Sequence, residues 1–116
     1  MLDTGLTHVE TNELYKQTIS NHENVMLCCG RMGPMCIPVY DIMEELESRY
    51  PHVHFCDMDF DGPAVDTIRG LPEVQSFMSL PFTIYYHQGE VVDATTSIQT
   101  EEQITAILDL RLKSVE

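Results

Sequence analysis

Cys36 closes the segment Gly33-Pro34-Met35-Cys36, where an apolar run gives way to a helical pattern, and of four cysteines it is the one best placed for chemistry. A thiol in the first turn of a helix meets unpaired backbone N–H groups and the positive end of the dipole. Both stabilise the thiolate, which is the nucleophilic form. Cys29, at the end of the preceding apolar run, is the nearest candidate partner. A disulfide needs Cα atoms within about 7 Å, a span that a strand end and the next helix's first turn can reach. Cys28 alternates to the face opposite Cys29, and Cys56 sits in a second apolar stretch, so both are expected to pack in the core. The cysteines at 28, 29, 36 and 56 lack the paired C-x-x-C spacing of zinc knuckles. No metal centre, iron–sulfur cluster or other cofactor is expected from them. The five histidines follow no ligand or catalytic spacing.

The elements that must position Cys36 can be read from punctuation and period. Val25-Met26-Leu27-Cys28-Cys29 is an unbroken apolar run of strand length, the pattern of a central strand covered on both faces. After Gly30-Arg31-Met32-Gly33, Pro34 suits a first helical position, and Val39, Ile42, Met43, Leu46 and Tyr50 recur at helical spacing until Pro51 stops them. Val53–Met58 is a second strand, and a strand, a helix and a strand in succession make a parallel, right-handed crossover. Upstream, Thr11 caps a helix carrying Leu14, Tyr15 and Ile19 that ends near Ser20-Asn21, preceded by a short edge strand at Leu6–Val9. Downstream, a short helix is expected at Ala64–Arg69, followed by an irregular piece broken by Gly70 and Pro72. Phe82–Tyr86 and Glu90–Ala94 form an antiparallel hairpin across His87-Gln88-Gly89. Thr100 and Gln103 make a capping box for a last helix, with Ile104, Ile107, Leu108 and Leu112 on one face.

At 116 residues, with 43% apolar and 22% charged residues, the chain has the size and composition of one globular domain spanning 1–116. Nineteen acidic against six basic residues give a formal charge of −13, which opposes binding to nucleic acid or to an anionic membrane surface. Met1-Leu2-Asp3-Thr4-Gly5 does not read as a secretory signal, and no run approaches the roughly 20 apolar residues of a membrane span, so a cytoplasmic location is expected. In a reducing compartment, four cysteines seldom build a static disulfide framework.

This order of elements resembles the thioredoxin family over nearly the whole chain, and three local features carry the likeness. The first is the strand, turn and helix from Val25 to Tyr50, where the family has W-C-G-P-C at the turn. The second is Ser79-Leu80-Pro81-Phe82-Thr83 before a strand, similar to the family's cis-proline loop. The third is Gly89-Glu90 in the hairpin, where the family commonly has Asn-Gly-Glu. Aligned without gaps, Met32-Gly33-Pro34-Met35-Cys36 falls on W-C-G-P-C. Gly33 then stands where the family has its attacking cysteine and Cys36 where it has the resolving one. Matching Gly33-Pro34 to the family's Gly-Pro instead leaves methionine at both cysteine positions and shifts the helix's apolar face by one residue, which costs burial phase. Extra residues before Pro81 enlarge the loop leading to the site.

The resemblance implies an α/β, thioredoxin-like fold, with a mixed sheet of four to five strands flanked by helices. It implies a cis Leu80-Pro81 bond opposite the turn, with Leu80 offering its N–H and C=O to an extended segment of a protein partner. Met32, Met35, Leu80 and Phe82 would form an adaptable apolar rim, with Gly33 and Pro34 beside it. Leu27 stands where the family often buries an aspartate; Asp57, on the adjacent strand, is either a replacement relay carboxylate or, as is commoner for such a residue, a solvated strand-end group. The implied activity is atypical thiol–disulfide exchange on protein disulfides, with Cys36 as reactive thiol, Cys29 as its candidate partner and a thioredoxin-reductase-type enzyme to regenerate it. The alternatives are a redox-inactive binding or adaptor module on the same fold and, third, a redox-sensing or metal-holding thiol cluster.

Overall fold

A computed structural model describes residues 2–113; Met1, the first residue of the segment read for a secretory signal, lies outside the described residues. Five strands form one mixed sheet: β1 (Thr7–His8), β2 (Asn24–Gly30), β3 (His54–Asp59), β4 (Phe82–His87) and β5 (Glu90–Thr96), in the order β1-β3-β2-β4-β5. β1, β3 and β2 run parallel, while β4 is antiparallel to both β2 and β5. β2 is central and buried along its whole length. That burial is what its unbroken apolar run requires.

Four helices cover the sheet: α1 (Asn12–Asn21), α2 (Ile37–Leu46), α3 (Asp66–Arg69) and α4 (Glu101–Arg111). Thr11 accepts from the Leu14 amide at the start of α1, and Thr100 and Gln103 form the reciprocal capping box of α4. On one face of the sheet, Val39, Tyr40, Met43 and Leu46 of α2 pack with Ile104 and Leu108 of α4 against Met26, Cys28, Phe55 and Tyr85. On the other face, Tyr15 of α1 and Ile68 of α3 cover Val25, Leu27, Cys29, Cys56 and Ile84. Each fully buried aliphatic side chain contributes about 1.5–3 kcal/mol relative to exposure, so the two layers hold both flanks of β2 in place.

Several element limits differ from the sequence expectation. α2 begins at Ile37 rather than Pro34, with Pro38 in its first turn and Cys36 at the cap position. The Gly33 carbonyl accepts from the amides of both Cys36 and Ile37, so residues 33–36 form a tight turn that feeds the helix without belonging to it. α2 also stops at Leu46; Tyr50 lies beyond it, yet its amide still bonds the Leu46 carbonyl and its ring is buried. The hairpin turns on Gln88 and Gly89 at φ 52° and 82°, the left-handed pair of a two-residue turn. The piece expected to be irregular contains a 3₁₀ turn at Pro72–Val74. Among the described residues no helix is long and apolar enough to cross a membrane.

Candidate functional site at the Cys36–Pro81 cleft

β2 ends at Gly30, the only residue type that fits there. A Cβ on Gly30 would lie 2.7 Å from the Tyr40 hydroxyl, 2.8 Å from Cys36 Sγ and 3.2 Å from Pro81 Cβ. The bare backbone of Gly30 is therefore where the strand end, the first turn of α2 and the loop before β4 converge. The Tyr40 hydroxyl donates to the Arg31 carbonyl at 3.1 Å, and the Arg31 amide points at Cys36 Sγ at 3.5 Å. Arg31's guanidinium is held in a two-pronged pair with Asp61, at 2.8 and 2.9 Å, and lies over the Phe60 ring.

Above this convergence lies an open cleft of 410 Å³, lined by Arg31, Gly33, Pro34, Met35, Cys36, Met78, Ser79 and Leu80. Cys36 contributes to its lining while remaining only 3% exposed. Met32, Met35 and Met78 are 43%, 42% and 94% exposed, and Leu80 is half-buried. The Leu80-Pro81 peptide is cis. Among the described residues neither the N–H nor the C=O of Leu80 takes part in a backbone hydrogen bond, whereas the neighbouring Ser79 and Pro81 carbonyls both accept from the Ser97 amide.

Two residues named from the sequence sit elsewhere. Phe82, expected on the rim, is turned into the core, edge-on to Phe60 and tilted against Phe77. Cys29 is buried in the layer with Val25, Leu27 and Ile84, whereas Cys36 is in the opposite layer with Cys28 and Tyr40. The alternation of a strand sends Cys29 away from the face that α2 covers, and Cys28 toward it. All four cysteines are free.

The thiols differ in their surroundings. Burial, reinforced by the Asp59 charge, pushes the Cys29 thiol up to about 12. Burial raises Cys28 and Cys56 as well, with only a weak Thr83 hydroxyl contact at 3.9 Å opposing it at Cys28. These three sulfurs are neutral packing groups at physiological pH.

Asp57 is not the solvated strand-end group that is commoner at such a position. It is fully buried on β3, accepts from the Thr4 hydroxyl and contacts His8 Nδ1 at 2.7 Å. Desolvation raises its pKa despite these two partners, which act in the other direction. β1 owes part of its attachment to this carboxylate, since Thr4 lies just before the strand and His8 is its last residue. A 210 Å³ pocket lies beside it, lined in part by His8, Glu10 and Asp59.

Sequence reasoning missed Gly30, Tyr40 and Met78. Gly30 had a signal, a glycine closing an all-apolar strand, which often marks a close backbone approach. Tyr40 sits at i+4 from Cys36, on the same face of the turn and helix. Met78 belongs to the lengthened loop before Pro81, whose path no local pattern fixes. Among the described residues no group of three or more His, Cys, Asp or Glu side chains is placed to hold a metal ion.

The sheet order, the four covering helices and a thiol set against a proline loop define a thioredoxin-like fold. Solved thioredoxins superpose on it closely. Plasmodium falciparum thioredoxin matches with a TM-score of 0.75 at 19% identity, over 91% of this chain and 99% of that one. Mitochondrial thioredoxin 3 of Saccharomyces cerevisiae gives 0.72 at 16% identity, over 90% and 94%. A cysteine-to-serine mutant of Entamoeba histolytica thioredoxin gives 0.73 at 14% identity, over 91% and 99%. No protein-family model and no curated protein sequence matches the chain.

Proposed function

We propose that the chain is an atypical thiol–disulfide oxidoreductase that acts on protein disulfides through Cys36 alone. The observation that supports it most is that Cys36 and Pro81 both abut Gly30, with Cys36 lining the cleft that Met35, Met78 and Leu80 rim. An extended segment of the partner lies along Leu80, whose N–H and C=O offer one donor and one acceptor for β-type pairing. The Cys36 thiolate attacks one sulfur of the partner's disulfide. That S–S bond breaks, the other partner sulfur leaves as thiolate, and Cys36 is held in a mixed disulfide. A small-molecule thiol attacks the Cys36 sulfur and frees the second partner thiol; a second such thiol then attacks the sulfur of the first, forming their disulfide and releasing Cys36 as thiolate. The partner gains two electrons and two protons, and the two small thiols leave as one disulfide. Cys29 has no part in this scheme, because it faces the other layer and its thiol stays protonated.

A second reading is favoured by a separate observation. Cys36 is 3% exposed, and Gly33, where the fold's attacking sulfur would stand, carries no side chain. On that reading the cleft binds protein segments without turnover. Reduction of a protein disulfide such as insulin by the wild-type chain with a small-thiol reductant separates the two. Activity lost on Cys36→Ser supports exchange. No activity from either protein, with a disulfide-free peptide retained equally by both, supports the binding module.

A further inference from the structure

Methionine is concentrated where this cleft opens, and its distribution is not that of core filling. Met26, Met43 and Met58 are buried within the two layers, at 0%, 0% and 1% exposure, whereas Met35 and Met78 line the same cleft as Cys36 at 42% and 94%. Exposing a long apolar side chain to this degree gains nothing from burial, so packing does not account for Met78. The two residues come from different elements, the turn before α2 and the loop before β4, and meet only because the fold brings those segments together. Met32 is differently engaged, its Sδ accepting from the Asp3 amide at 3.4 Å.

We infer that Cys36, Met35 and Met78 form a binding site for a soft monovalent metal ion, cuprous copper, at the mouth of the cleft. One thiolate and two thioethers are a soft donor set that suits Cu(I); zinc also takes thiolates but not thioethers, and the hard divalent cations take oxygen. The chemistry also suits the local charge. The Arg31 guanidinium is already matched by Asp61, so a thiolate with Cu(I) leaves the cleft electrically neutral. The other three thiols lie in the core away from the cleft and are held protonated by burial, which leaves Cys36, itself only 3% exposed, as the one thiol in the cleft's lining. Met35 and Met78 are both exposed, Met78 almost fully, and each has three rotatable side-chain bonds through which its thioether can swing toward Cys36. On binding, the S–H bond of Cys36 breaks, a Cu–S bond forms and one proton passes to solvent; copper keeps its oxidation state throughout.

The site shares Cys36 with the proposed disulfide exchange, so bound Cu(I) blocks that reaction, but its test reads metal binding and needs no activity. The full chain is titrated anaerobically with Cu(I) against a coloured chelator such as bicinchoninate, alongside Met35→Leu, Met78→Leu and Cys36→Ser. Leucine keeps the apolar volume and removes the sulfur, and Met78 is too exposed for its replacement to unfold the chain. The wild type is expected to hold one Cu(I). Each leucine variant should weaken it by about tenfold, and Cys36→Ser by at least about a hundredfold. X-ray absorption of the loaded protein should show a sulfur-only shell. Cu(I) affinity unchanged in a Met35→Leu, Met78→Leu double variant would overturn the assignment, as would nitrogen or oxygen ligands in the absorption spectrum, or no retention by the wild type.

Discussion

Gly30 and Cys36 occupy adjoining volumes with no room for another atom, since a Cβ on Gly30 would sit 2.8 Å from Cys36 Sγ. The contact is enforced from two further sides by the Tyr40 hydroxyl and Pro81. Gly30→Ala must therefore displace the sulfur, the phenol or the proline loop, none of which is the free end of a flexible chain. A loss of about 1–3 kcal/mol is expected, the usual cost of overpacking. Denaturant unfolding should show a lower midpoint with an unchanged slope. An unaltered midpoint would mean that the three groups can separate freely, and that the site is looser than its packing indicates.

The burial of the thiols gives a second expectation. With its thiol at about 12, Cys29 is thiolate in only about one molecule in 10⁵ at neutral pH, and Cys28 and Cys56 are also raised and solvent-inaccessible. An aromatic disulfide reagent should label at most one thiol of the native chain quickly, and four once denaturant is added. Cys36→Ser should remove the fast native phase. Rapid labelling that survives this substitution would show that another cysteine opens to solvent.

Much of the fold was legible because the signals are local. The run Val25–Cys29 announced a central strand, Thr11 and Thr100 announced caps, and the short His87–Gly89 connection announced a hairpin. The site was legible in position but not in orientation. Cys29 is one residue from Cys28, and the pleat alone decides which of the two shares a layer with Cys36; α2 covers the Cys28 face. The start of α2 was misjudged for a related reason. Pro34 fits a first helical position, but Pro38 does too, and the turn closed by the Gly33 carbonyl uses up the first of them. Asp57 was unreadable because its burial depends on Thr4 and His8, which are distant in sequence and reach it only when β1 pairs with β3.

Asp57 makes stability depend on pH in a direction opposite to that of an ordinary salt-bridged carboxylate. Burial raises its pKa above the ordinary aspartate value of 3.8, with Thr4 and His8 opposing the shift and the Glu10 charge adding to it. The folded chain therefore holds this proton more tightly than the unfolded chain. The favourable contribution is complete below the unfolded pKa and is lost as pH rises through the folded one. Asp57→Asn keeps the shape and cannot ionise. Relative to that variant, the wild type should lose stability as pH rises from about 4 toward neutrality, as read from unfolding midpoints across the series. A wild type that gains on the variant over the same interval would show that Thr4 and His8 stabilise the carboxylate by more than burial penalises it.

Gly33 provides the most direct test of what the cleft lacks. It lies three residues before Cys36, the spacing of a C-x-x-C pair, and no atom lies within 4 Å of a Cβ built on it. Gly33→Cys therefore adds a sulfur without displacing anything, and places it at the solvent side of the turn, where attack on a partner disulfide is unobstructed. The added thiol forms the mixed disulfide and the Cys36 sulfur, close behind it, resolves it, so small-molecule thiols are no longer needed for that step. The oxidised variant should lose two free thiols relative to its reduced form and regain them with dithiothreitol. Protein-disulfide reduction should rise by at least about tenfold over wild type. A variant whose two thiols do not pair under oxidation, and whose activity stays at the wild-type level, would mean that Cys36 is held too deeply to serve as a resolving thiol. The single-thiol scheme would then fail with it, because the same sulfur has to be reached in both.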